Sequence, residues 1–515
     1  MGRPFRAPHH RSPRIQGLRP WLSWGARSGL VALARVLLAL TILAAPLAAE
    51  EGTKEVPTDP GSFRPDPTYA DKPYDPAKQI AIYGGKHPNP TARPLLELGR
   101  PLYAYGPFQP APTPLGEKNP LFWHFMVYGD WRTAVAYNDN GAKEQATVAS
   151  RLNLDIDMKL TATERIHAFV SPLERQGEFT RVDFGGEDHG FEERFDGEPD
   201  ALFFEGDAAR IVEGISGKDN SLDLPFSAGF MPMLLQNGVW MEDNLTGVAF
   251  TLPSLHSAAL DISNFDVTFF AFFDEVESGA IRNEQGKVEK DEASIFGATA
   301  FLEAAGGYWE VGYGYTDGQG EFDKFDYHNL TVAYTRRYGG WLSNSIRVVG
   351  CFGQDLSDRE RTANGAIVLL ENSLITSEPL AFVPYLNLFA GFDRPQSLAR
   401  AAGAGGILKN TGILYETDAL TGFPKLDDTG NDTVGGALGV EYLFGLDHQI
   451  VVEVGGFHAF GEDKGRPAKG DQFGFEARYQ LPLSNRWILR ADAMVGFRED
   501  EEDLSGVRLE FRWKF

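Results

Sequence analysis

Gly506-Val507-Arg508-Leu509-Glu510-Phe511-Arg512-Trp513-Lys514-Phe515 is the stretch on which the reading of this chain turns. Val507, Leu509, Phe511, Trp513 and Phe515 occupy every second position, and Arg508, Glu510, Arg512 and Lys514 fill the gaps. A β-strand sends successive side chains to opposite faces, so one face here is apolar and largely aromatic while the other is wholly charged. A terminal strand of a soluble sandwich also alternates. Faces this different point instead to lipid on one side and water on the other.

The same period recurs upstream. In Arg151 to Leu160, Leu152, Leu154, Ile156, Met158 and Leu160 alternate with Arg151, Asn153, Asp155, Asp157 and Lys159. Phe473, Phe475, Ala477, Tyr479 and Leu481 alternate with Gly474, Glu476, Arg478 and Gln480. Trp487, Leu489, Ala491, Ala493 and Val495 do so against Arg490 and Asp492. Counting such runs from Leu121 onward gives about eighteen strands, with sixteen to eighteen as the range. The stretch Asp200 to Pro253 is the least regular; Pro225 and Pro232 suit a strand edge or an inward-folded loop there.

The connections alternate in length. Thr161–Glu164, Ala304–Gly307, Gly339-Gly340, Gly445–Asp447 and Ser484-Asn485 are tight, whereas Glu277–Asp291, Asp317–Tyr327, Arg394–Asp432 and Gly461–Gly470 are long and polar. Trp309, Tyr338, Trp341, Phe444 and Trp487 sit beside the tight turns, as a belt of amphipathic rings at one membrane boundary would. The closing strand resembles that of Gram-negative outer-membrane β-barrels. By that resemblance Phe511, Trp513 and Phe515 form the signal read by the barrel assembly machinery, and lipid and lipopolysaccharide surround the wall. The expected fold is all-β, a transmembrane antiparallel up-and-down barrel over residues 120–515, with short turns toward the periplasm.

Residues 1–49 carry seven arginines and no acid, an apolar run from Leu30 to Leu47, and Ala48-Ala49 before Glu50. They read as a secretory signal peptide, since the apolar core from Val36 to Leu47 is too short for the ~20 residues a spanning helix needs. Removing them takes the formal charge from −24 to −31, which argues against nucleic acid as a partner. Residues 50–119 are rich in proline, as in Pro65-Asp66-Pro67 and Pro88-Asn89-Pro90, and show no helical or strand period. They are expected to be an extended periplasmic segment or a plug in the lumen. The single cysteine, Cys351, excludes an intramolecular disulfide, and a closed barrel can hold an exported chain without one.

Strand parity assigns Arg132, Arg151, Asp155, Asp157, Lys159, Arg347, Arg478, Arg490, Asp492, Arg508, Glu510 and Arg512 to a water-filled lumen as pore-lining candidates. Opposed signs on such a wall either admit polar solutes or simply pair across strands. Acidic clusters at Glu187-Asp188, Glu192-Glu193, Asp427-Asp428 with Asn431-Asp432, and Glu499 to Asp503 read as solvated outer loops rather than calcium sites, since their spacing is not that of an EF-hand. The histidines are scattered without a G-x-S-x-G element, and Gly403-Ala404-Gly405-Gly406 lies in a long loop, so neither a hydrolase triad nor a dinucleotide site is expected. No enzyme activity, metal or cofactor is expected. Phe226 to Gly247 loosely resembles alginate-export and related substrate-specific porins, which implies an anionic polysaccharide as solute. The expected function is a porin-like channel for passive diffusion or export of small hydrophilic solutes, including anionic saccharides, in an assembly that porins often form as homo-oligomers. The competing reading is a surface-anchored structural or binding barrel with a plugged lumen.

Overall fold

The computed structural model describes residues 94–99 and 111–515, apart from 115, 176, 185–188, 291, 414–417, 446 and 462–464. The expected signal peptide and nearly all of the proline-rich extension lie outside the described residues, as does Glu187-Asp188.

Eighteen antiparallel strands close into a barrel. In chain order they are β1 (His124–Asp139), β2 (Glu144–Lys159), β3 (Arg165–Val170 with Glu178–Asp183), β4 (Gly190–Glu192 with Ala201–Asp207), β5 (Pro225–Leu235), β6 (Met241–Ser257), β7 (Ile262–Asp274), β8 (Ala293–Ala304) and β9 (Gly307–Gly318). There follow β10 (Tyr327–Tyr338), β11 (Leu342–Phe352), β12 (Asn364–Leu374), β13 (Phe382–Arg394), β14 (Thr433–Phe444), β15 (His448–Ala459), β16 (Gln472–Pro482), β17 (Trp487–Arg498) and β18 (Leu504–Lys514). Each pairs with its neighbour in sequence, and β18 pairs with β1 from Ser505↔Asp139 to Lys514↔Asp130. Closure removes the open edges that lipid cannot solvate. Beyond the ladder, Phe515 and Gly129 exchange backbone hydrogen bonds of 3.0 and 2.9 Å.

The alternation sorts the two faces as the sequence suggests. On β18, Leu509 is 51% exposed on the outside while its neighbour Glu510 is 1% exposed within. A buried carboxylate beside an exposed leucine inverts the usual order, and it makes sense only with lipid outside. Beside the closing seam Trp487 stacks on Phe511 and Trp513 at 4.7 and 5.6 Å, and Phe515 lies tilted against Trp513 at 4.8 Å. A second aromatic level, near the long loops, includes Phe273 with Phe296 and Phe392 with Phe460, each pair 5.9 Å apart.

Three features depart from the sequence reading. First, β3 and β4 are each interrupted, and helix α1 (Ala208–Ser216) joins β4 to β5, capped by Asp207 accepting from Ala209 and Arg210. These breaks explain why the periodicity fades around residue 200. Second, Leu96–Gly99, inside the stretch without a strand period, pairs antiparallel with Val127 to His124 of β1. Four residues need no period of their own when an edge left free below the end of β18 templates them. Third, the inner face is not charged throughout.

Toward the long loops the inner face turns apolar. Phe270, Phe272, Ile295, Ile367, Phe389 and Met494 bury there against residues of four connections, the β5–β6 tip (Val239, Trp240), the β7–β8 connection (Val276, Ile281), the β9–β10 connection (Phe322, Phe325) and, most of all, the loop 395–432 (Leu398, Ile407, Leu408, Ile413, Phe423, Leu426). Trp240 donates its indole N–H to Asn329 at 2.9 Å, and Tyr327 donates to the Leu398 carbonyl at 2.9 Å. The wall makes room with glycine: a Cβ on Gly312 would stand 2.5 Å from the Trp240 ring, and one on Gly314 would collide with Leu398. Gly314→Val is therefore expected to leave the barrel intact but expel the loop, seen as tryptic cleavage at Arg400 and Lys409 that the parent resists.

Candidate functional site

The charged half of the lumen lies toward the short turns, and most of it is on adjacent strands. Asp492 of β17 is its hub: Arg478, Arg490 and Arg508 approach it at 2.6, 3.0 and 2.8 Å. Cross-strand register brings them together, since Arg478 and Arg508 are the two residues directly opposite Asp492 and Arg490 lies two positions away on its own strand. Arg512 reaches Glu510 at 2.8 Å and Asp130 at 4.0 Å, and Arg132 pairs with Asp130 as well.

Into this wall the loop 395–432 inserts one more carboxylate. Asp418 sits 2.5 Å from Arg508 and 3.4 Å from Arg132. Neighbouring contacts fix it: Arg508 lies over the Phe423 ring at 5.7 Å, and Asn138 of β1 donates to the Thr421 carbonyl at 2.7 Å. On the far side of the loop, Asn387 of β13 donates to the Thr411 carbonyl at 2.9 Å, so the segment crosses the lumen.

The remaining candidates face inward elsewhere on the wall. Arg151 of β2 bonds Asn153 at 2.8 Å and pairs with Glu174 at 3.2 Å. Asp157 accepts from Tyr128 at 2.8 Å and lies 3.3 Å from His167, which also approaches Asp155 at 3.4 Å. Lys159 stands at the short-turn end between His124 and Arg165. Arg347 is on the opposite wall, donating to Gln236 at 2.7 Å and lying 3.3 Å from Glu310. The twelve therefore divide: Arg132, Arg478, Arg490, Asp492, Arg508, Glu510 and Arg512 form one network, Arg151 and the Asp155, Asp157 and Lys159 group adjoin it on β2, and Arg347 stands apart.

The outward reading of the loop 395–432 is corrected. Asp427, Asp428 and Asn431 are buried rather than solvated, with Asp427 accepting from the Thr429 backbone and hydroxyl at 2.9 and 2.7 Å and Asp428 paired to Lys425. The Gly403–Gly406 turn belongs to the same inserted segment, and Ala404 in it is buried. Seven large apolar residues between Leu398 and Leu426 are more than an open loop would carry, so a signal was present in the sequence. Asp418, the residue that joins the loop to the arginines, had no periodic signal at all.

Burial would raise the Asp418 carboxyl, but Arg508, Arg490 and Arg132 outweigh it and hold it down at about 2. Burial pushes Asp427 up to about 6, with its Thr429 hydrogen bonds opposing and Asp428 adding to the rise. The two act in opposite senses on docking of the loop. Asp418 stabilises it above the free carboxylate value near 3.8, and that contribution is lost as pH falls through about 2. Asp427 contributes below about 3.8, and its share is lost as pH rises through about 6. Docking is expected to be strongest near pH 4 and weaker on both sides. A dye on Gly403→Cys would report it; Asp427→Asn should flatten the alkaline limb alone.

No protein-family model and no curated protein matches the chain. Solved structures similar to it include three from Pseudomonas aeruginosa. OccK11 (OpdR) is 8% identical, over 76% of this chain and 96% of its own, with a TM-score of 0.49. OccK2 (OpdF) is 11% identical, over 76% and 97%, at 0.48. The outer membrane protein OpdK is 11% identical, over 76% and 98%, at 0.45. The fold of the present chain is fixed by its own strand pairing, independently of these likenesses.

Proposed function

We propose that this chain is a Gram-negative outer-membrane channel through which small hydrophilic solutes diffuse, with a preference for those that carry an anionic group. The observation behind it is that a loop carboxylate, and not one of the wall's own, sits against two of the wall's arginines. Arg478, Arg490, Arg508, Arg512 and Arg132 meet the wall acids Glu476, Asp492, Glu510 and Asp130, with Glu453 opposite Glu476 accepting from Tyr385, and Asp418 of the inserted loop adds a carboxylate that reaches both Arg508 and Arg132. A solute carboxylate or other anion that takes the place of Asp418 meets the same two guanidinium groups, Arg508 and Arg132, whereas a cation there meets like charge. Acidic saccharides fall within this class, and a passive pore carries them inward or outward as the gradient dictates. The other inward candidates, Arg151, Asp155, Asp157, Lys159 and Arg347, serve as a hydrated lining.

In the same reading residues 1–49 direct export, the short turns face the periplasm, and the assembly machinery reads Phe511, Trp513 and Phe515. Lipopolysaccharide surrounds the long-loop rim, and native mass spectrometry tests for a homo-oligomer. Purified protein in planar bilayers should give discrete current steps with an anion-selective reversal potential. Asp418→Ala should raise both conductance and anion preference, since it removes an anchor of the inserted loop and takes one negative charge from beside Arg508 and Arg132. A second reading, a structural or binding barrel with a plugged lumen, draws support from the apolar packing of the loop 395–432 inside the wall. Bilayer silence, for the full chain and again after deletion of Glu50 to Pro112 or of the loop, would favour it.

A further inference from the structure

Opposite the arginine wall, the inner face of β8 to β12 lines a cavity of about 450 Å³ with a different chemistry. Phe301 of β8 and Tyr308 of β9 stack with ring centroids 5.7 Å apart and planes 21° from parallel. Both remain open, at 38% and 49% exposure, yet both share strand parity with the inward Gly297 and Gly312, so they face the lumen and not lipid. Aromatic faces left open to water are not accounted for by the fold, and a stacked pair of them is a platform for another ring.

The polar groups beside that platform narrow the choice of ring. Thr335, Ser343, Ser345 and Ser373 line the cavity with hydroxyls, of which Thr335 donates to Ser345 at 2.9 Å. Arg347 contributes the only cation among the described lining residues, and it lies between Glu310 at 3.3 Å and Glu371 at 3.8 Å. Two carboxylates to one guanidinium disfavour an anion at this point. A purely apolar ring would take water from the hydroxyls and carboxylates and give them no hydrogen bond in return.

The geometry points to a binding station for an uncharged pyranose ring on Phe301 and Tyr308. The C–H face of a sugar, slightly positive, lies against the negative π-face of the stacked pair, while its hydroxyls donate to Glu310 and Glu371 and exchange hydrogen bonds with the serine and threonine side chains. The station rests on the channel reading only in that the sugar reaches it through the lumen.

Calorimetric titration of the full folded chain in detergent with maltotriose tests the station without requiring conduction. Saturable binding is expected, weakened about tenfold in Phe301→Ala/Tyr308→Ala and within about twofold of the parent in Tyr308→Phe, which keeps the ring. Benzoate and mannitol should not bind there. Heat-dependent gel migration verifies that each variant is folded, and Phe301→Leu replaces the double variant if that one is not. Absence of maltotriose binding to the folded parent overturns the station, as does equal binding by a folded variant that lacks the platform, or benzoate binding more tightly than the sugar. A channel that is silent in bilayers yet binds maltotriose refutes the conduction reading and leaves the station standing.

Discussion

Leu509→Arg is expected to abolish assembly of the barrel. Leu509 lies near the middle of β18, on the outer face, with Val507 and Phe511 beside it and Ala491 and Val135 across the two ladders. A guanidinium at that depth faces acyl chains, at a cost of about 2–4 kcal/mol. The position magnifies the effect, because β18 is the strand that closes the ring against β1; without that seam both strands present open edges in hydrocarbon. Membrane fractions of cells expressing the variant should lack the heat-modifiable band that the parent gives. Arg508→Leu, one residue away, should still insert, because its side chain faces the lumen. A Leu509→Arg protein that folds in the parent's yield would mean that position 509 does not face acyl chains.

Asp492→Ala should have the next largest effect, on stability rather than insertion. Its carboxylate is fully buried and receives Arg478, Arg490 and Arg508, so removing it leaves three guanidinium groups converging on an empty point. Taking one partner from a buried charge network costs about 3–5 kcal/mol; lumen water will relieve part of that, and about 3 kcal/mol is expected here. Urea unfolding in detergent micelles or lipid vesicles measures it. Asp492→Asn should fall between the two, keeping an acceptor without the charge. A loss under about 0.5 kcal/mol would show that the arginines are solvated independently and that the network is incidental.

Most of the barrel was legible because lipid and water act on every residue of a strand separately. The parity of Val507 to Lys514 and of Arg151 to Lys159 survives into the folded wall, and the tight turns at Gly339-Gly340 and Gly445 fall where glycine permits left-handed backbone. The same parity placed Arg508, Asp492 and Arg490 inside. It could not say which of them meet, since that depends on the stagger between neighbouring strands, as when Asp492 falls opposite both Arg478 and Arg508. Loops follow no period, and the stretch from Arg394 to Asp432 looks polar and outward in sequence although its leucines, isoleucines and Phe423 bury inside the wall.

The sequence by itself determined a closed, lipid-facing barrel of about eighteen strands, because a two-residue alternation is a local response to two solvents and needs no knowledge of distant contacts. Only the tertiary structure decided how the lumen is filled: which arginines share Asp492, that Asp418 enters their wall from a loop some ninety residues earlier, and that Phe301 and Tyr308 stand open on the side facing it. Those facts depend on register, closure and loop insertion, which bring together groups far apart in sequence and leave no repeating mark along the chain.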